Sequence, residues 1–99
     1  MKRGTTPTHQ FVLPISVDMI EDVEVTYQQN GKEILKKYLD EFTAEGKTIA
    51  VMLTQEETFA FDEGVNVEIQ LRVLTKGGEV HASDIFTVGC LRCLSDEVL

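Results

Sequence analysis

Val65-Asn66-Val67-Glu68-Ile69-Gln70-Leu71-Arg72-Val73-Leu74-Thr75-Lys76-Gly77-Gly78-Glu79-Val80-His81-Ala82-Ser83-Asp84-Ile85-Phe86-Thr87-Val88 decides the fold class of this chain. From Val65 to Val73 apolar and polar side chains alternate strictly, the period of a strand with one buried face. The adjacent Gly77-Gly78 suits a two-residue hairpin turn, in which both positions need positive φ. Folding back about them sets Val73 against Ala82, Ile69 against Phe86 and Val67 against Val88. The other face pairs Leu74 with His81, Arg72 with Ser83 and Glu68 with Thr87. This self-consistent register predicts an antiparallel sheet with one apolar and one solvated face. It also puts Asp84 on the apolar face opposite Leu71, a costly place for a carboxylate. A bulge at Ser83-Asp84 or hydrogen bonding at a rim relieves the conflict; a functional acid of raised pKa is the alternative.

Upstream, Ile20–Gln29 repeats the pattern, with Val23, Val25 and Tyr27 on one side and Asp22, Glu24, Thr26 and Gln28 on the other. Asn30-Gly31 marks a second hairpin. Pairing about it places Tyr27 opposite Ile34, Val23 opposite Tyr38, and Glu24 opposite Lys37 as an exposed charge pair. Lys36 then falls on the apolar side opposite Val25. An inward-leaning lysine stops a sheet edge from recruiting another strand, so Glu33–Leu39 reads as an edge strand, with a helix as the alternative. Thr8–Leu13 reads as the first strand, with Phe11 and Leu13 on one face and Pro14 ending the hydrogen bonding. Pro14–Met19 and Asp40–Lys47 read as connections, the second turning at Glu45-Gly46. Thr48–Leu53 is a strand with Ile49, Val51 and Leu53 inward. Thr54, with Glu57 three residues later, forms a capping box that opens about one turn of helix near 55–60.

Six or seven short strands predict an all-β antiparallel β-sandwich, immunoglobulin-like, with a small barrel as the alternative. The chain is expected to form one domain over residues 1–99, with a polar N-terminal arm (1–7) and a C-terminal tail (89–99). Val23, Val25, Tyr27, Ile49, Val51, Val67, Ile69, Leu71, Val73 and Phe86 are the expected core. The 17 acidic and 9 basic residues give a net charge of −8. Nucleic-acid binding requires clustered Lys and Arg, and an acidic surface repels anionic lipid, so neither partner is expected. No apolar run approaches the ~20 residues of a membrane helix. Lys2-Arg3 is not followed by the apolar segment of a secretory signal, so a cytoplasmic setting is expected.

Cys90-Leu91-Arg92-Cys93 is the one motif with chemical potential. A redox pair needs a thiol of lowered pKa, normally at a helix N-terminus, and this pair follows the last strand. A zinc site needs about four ligands, while His9 and His81 stand apart in sequence. Two ordinary reduced thiols are the favoured reading, against metal or intermolecular bonding and redox catalysis. No nucleophile–base pair, phosphate loop or metal constellation stands out elsewhere, so no catalytic, cofactor-binding or metal residue is assigned and an enzyme is not expected.

Arg3-Gly4-Thr5-Thr6-Pro7-Thr8-His9 followed by Phe11-Val12-Leu13-Pro14 resembles the opening of small proteins encoded in tailed phages and prophages of Firmicutes. The likeness continues through Val25-Thr26-Tyr27, Leu53-Thr54-Gln55-Glu56, Ile69–Thr75, Ala82–Ile85 and Cys93–Leu99, nearly the full chain. It implies a phage structural or assembly context, in the host cytoplasm or incorporated in the virion. The expected function is a non-catalytic interaction module that contacts virion components or itself; a phage-encoded regulator or inhibitor of a host protein is the alternative. Chain ends and sheet edges are the expected contact surfaces. The arm residues Gly4, Thr5, Thr6 and His9 are expected to stay mobile until a partner orders them. Asp96, Glu97, Val98 and Leu99, joining charge to apolar side chains, are expected to dock.

Overall fold

The computed structural model describes residues 1–99. It is an antiparallel β-sandwich. Eight short strands form it: β1 (Thr8–Val12), β2 (Ile20–Gln29), β3 (Lys32–Tyr38), β4 (Phe42–Glu45), β5 (Thr48–Met52), β6 (Val67–Thr75), β7 (Val80–Ala82) and β8 (Phe86–Val88). One helical turn, α1 (Gln55–Phe59), joins β5 to β6. The smaller sheet runs β1-β5-β4; the larger runs β3-β2-β6, with β7 and β8 in succession on the far edge of β6. Phe11, Ile49 and Val51 from the smaller sheet pack in one core with Val25, Tyr27, Val67 and Ile69 from the larger. The strand order is consistent with an immunoglobulin arrangement in which β4-β5-β1 stand for D-E-B and β3-β2-β6 for C′-C-F.

Both expected hairpins form, and each departs from the simplest register by one residue. At Asn30-Gly31, both residues take positive φ (50° and 76°), as a two-residue turn requires. Gln29 pairs with Lys32 and Gln28 with Glu33, but the next pair is Tyr27 with Leu35. Ile34 is the extra residue of a bulge, which flips the remainder of β3. Lys37, not Lys36, therefore lies opposite Val25 and is buried. The expected Glu24–Lys37 pair does not form; Glu24 instead meets Arg72 at 2.7 Å and Lys36 at 3.9 Å on the outer face. Lys36 also bonds Glu33 at 3.2 Å. A lysine does guard this edge, but it is the neighbouring one.

The second hairpin closes over three residues. Thr75 accepts from Gly78 and donates to Glu79, and of the two glycines only Gly78 has positive φ, at 89°. This shifts β7 by one: Arg72 faces Ala82, Val73 faces His81 and Leu74 faces Val80, in place of the expected pairs. The bulge expected at Ser83-Asp84 restores the register, so β8 pairs as predicted, Ile69 with Phe86 and Val67 with Val88. Ser83 completes it: its hydroxyl accepts the Leu71 N–H at 3.0 Å, and Asp84 turns out to solvent.

Two further corrections concern local detail. Asp40–Lys47 is more than a connection, since Phe42–Glu45 pairs with β5, and its tight turn is Gly46-Lys47 rather than Glu45-Gly46. Phe86 faces inward beside Ile69 yet is 48% exposed, so it is not core. The smaller sheet ends at β1, and no strand covers β8.

Candidate functional site

The arm and tail expected to make contacts are tied to the body. Met1 N donates to Gly89 O (2.8 Å), Leu91 N to Met1 O (2.7 Å) and Arg3 N to Leu91 O (3.1 Å), a short parallel pairing with the chain beyond β8. Gly4 has φ of 75°, and a Cβ there would sit 2.7 Å from the Phe59 ring, so only glycine fits. Its N–H donates to the buried Thr58 hydroxyl at 3.0 Å. The Arg3 guanidinium donates to Phe59 O, lies 5.5 Å from the Phe59 ring centroid and pairs with Asp96 at 3.6 Å. Gln55 reads the Leu99 backbone with both ends of its amide, at 2.8 and 3.3 Å. The Thr-rich segment thus satisfies its backbone on α1 and on the chain after β8.

The structure thus gathers Gly4, Asp96 and Leu99 around α1, with Thr5 holding Lys2 O through its hydroxyl (2.6 Å). Thr6, Glu97 and Val98 are exposed. His9 stands elsewhere, on β1, inside a groove that sequence reasoning did not find.

That groove has a volume of about 800 Å³ and runs along the whole of β1, over the uncovered inner face of β6, β7 and β8. Phe11, Leu13 and Ile69 form its apolar depth, and Ala82, Phe86 and Val88 its open floor. Phe11 and Phe86 tilt together across it, ring centroids 6.2 Å apart. None of its 16 lining residues is Asp, Glu, Lys or Arg, although such residues make up 26% of the chain. Both histidines of the chain line it. The buried Tyr27 hydroxyl and His9 Nδ1 share a hydrogen bond of 2.6 Å. Burial, and secondarily the N-terminal ammonium, lower the His9 pKa below its ordinary 6.5; burial, then Glu57, push Tyr27 upward, so it stays a phenol. The legible signal for the groove was a strand, Thr8–Val12, without a charged residue.

Cys90 packs in the core and burial raises its thiol pKa, the opposite of what an attacking thiol needs. Cys93 is half-buried, and both are free. No helix is long and apolar enough to cross a membrane. No protein-family model, curated protein or solved structure matches the chain.

Proposed function

We propose that this chain is a non-catalytic protein-interaction module whose contact surface is the groove beside β1. One observation carries the reading: an uncharged apolar surface stands open between the sheets of a chain with net charge −8. Apolar floor left to water is costly, at roughly 25 cal/mol per Å², so a partner that covers it gains that free energy. The groove holds two imidazoles and no carboxylate, thiol or amine, and one imidazole is engaged by Tyr27, so binding fits its chemistry better than turnover. The sequence resemblance to small proteins of tailed phages and prophages supports a virion or assembly setting.

Photo-crosslinking tests this directly. A benzophenone side chain at Phe86 in the full chain should capture a defined protein in the infected or lysogenic bacterium. The same group at Arg72, on the outer face of β6, should not. Equal capture from both positions would sink the groove as the contact surface. Detection of the chain and its crosslinked partner in purified virions would support the structural setting; a host protein captured in its place would support a regulator.

A further inference from the structure

We propose that the groove seats an added β-strand: an extended partner segment, uncharged and apolar at alternate positions and flanked by Lys or Arg, that hydrogen-bonds to the free edge of β1. This deepens the interaction reading above and rests on it.

The hydrogen-bonding edge is defined by the register. Leu53 N donates to Pro7 O at 3.0 Å and Leu13 N to Lys47 O at 2.7 Å, and the same two-residue period runs between them. Pro7, His9, Phe11 and Leu13 therefore direct their main-chain groups toward β5. Thr8, Gln10 and Val12 direct theirs away from it, to an edge that no strand occupies. The slot is also one strand wide. The smaller sheet has three strands, while the larger is four deep once β7 and β8 share the outer position, so the floor overhangs by a single strand. In an immunoglobulin arrangement this is the place of strand A beside strand B. Here Met1–Arg3 runs instead to Leu91.

This edge lacks the protection the other edges carry. β3 has Lys32, Lys36 and the inward Lys37; β4 is four residues long and ends in Glu45; β7 and β8 are three residues each and broken by a bulge. β1 is five residues long, with neither a charge nor a proline. An edge left unguarded beside an apolar floor is built for pairing.

Charge decides the occupant. The slot is neutral, so side chains pointing into it must be neutral as well. The chain around it is acidic at −8, and the exposed Glu79 and Asp84 flank β7 on either side, so basic flanks complement it. A second copy, pairing β1 against β1, would bring another −8 to the same surface and repel, where a basic-flanked segment attracts.

The test uses the full chain and four capped synthetic peptides sharing the core Val-Thr-Val-Thr-Val. One has Lys flanks, one Glu flanks, and two have Lys flanks with alternate backbone nitrogens methylated, one in each register. Calorimetry at low ionic strength should show the Lys peptide binding at least about tenfold tighter than the Glu peptide. Amide exchange at Thr8, Gln10 and Val12 should slow at least about tenfold on binding, with His9 and Phe11 already protected. One of the two N-methylation registers should abolish binding. Binding without that protection, or indifferent to N-methylation in both registers, overturns strand addition and leaves the interaction reading standing. No binding by any peptide, alongside a crosslinked partner at Phe86, rejects this occupant alone; no binding and no crosslink rejects both. Protection of these amides in a concentration-dependent dimer without peptide assigns the slot to a second copy and overturns the proposal.

Discussion

Thr58 shows what one buried hydroxyl organises. It accepts the Gly4 N–H, and its hydroxyl oxygen lies 3.0 Å from both the Thr5 and the Gln55 carbonyl oxygens, which share its proton. Thr58→Val keeps the shape and strands those groups, so it should cost about 1–3 kcal/mol, read as a lowered urea midpoint. Nothing in a Glu-Glu-Thr-Phe stretch singles this threonine out, because its partners Gly4 and Thr5 are more than fifty residues away. His9 gives a pH signature. With its folded pKa below 6.5, the unfolded chain binds more protons there. Its contribution to stability is complete above about pH 6.5 and is lost as pH falls through the lowered folded value. Wild type should thus lose stability between pH 7.5 and 5.5, and His9→Gln should flatten that loss. An unchanged slope would remove His9 as its cause.

Among the elements, β3 and α1 depend on each other. Lys37 Nζ reaches Glu57 at 2.6 Å and Glu41 at 3.5 Å. Glu57 also accepts the Thr54 N–H at 2.8 Å, while Thr54 accepts the Glu57 N–H at 3.2 Å, so the capping box read from sequence is bonded to the sheet edge. Burial pushes the Glu57 carboxyl upward, but Lys37 and Thr54 outweigh it and hold it below its ordinary 4.5. That contribution is present above about pH 4.5 and fades as pH falls through the lowered value. Lys37→Met should cost about 1–3 kcal/mol and expose the edge to self-association, with Glu57→Gln restoring part of the stability. Sedimentation and urea titration measure the two effects separately. In the core, Ile69→Ala should cost about 2–5 kcal/mol, because Ile69 is buried between β2 and β8. Strand positions were legible because period-two alternation is local. The bulges at Ile34 and Ser83–Ile85 were less so, because which residue slips depends on the facing strand.

For the whole molecule, the chain ends act as fasteners. Deleting Met1–Thr6 removes the pairing with Gly89 and Leu91 and the Gly4–Thr58 bond, so it should lower the melting temperature by several degrees. Deleting Ser95–Leu99 removes only the exposed Asp96 and the Gln55–Leu99 pair, and should change it little. An unchanged melting temperature after deletion of Met1–Thr6 would show that the arm's contacts add no stability. The thiols divide the same way: Cys90→Ser places a hydroxyl in the core and should cost about 1–3 kcal/mol, while Cys93→Ser should be nearly neutral.

Alternation and turn chemistry in the amino-acid sequence alone determine that β2 and β6 are strands with one buried face, that Asn30-Gly31 and Gly77-Gly78 reverse the chain, and that Thr54 starts a helical turn. These are short-range consequences of backbone sterics and side-chain period. Tertiary structure decided everything that depends on counting strands across the sandwich. Phe86 looks like core because it alternates like core; it is exposed because the opposite sheet stops one strand short. The same missing neighbour turns an uncharged strand, Thr8–Val12, into an open edge, and no local pattern records which strand will have no partner.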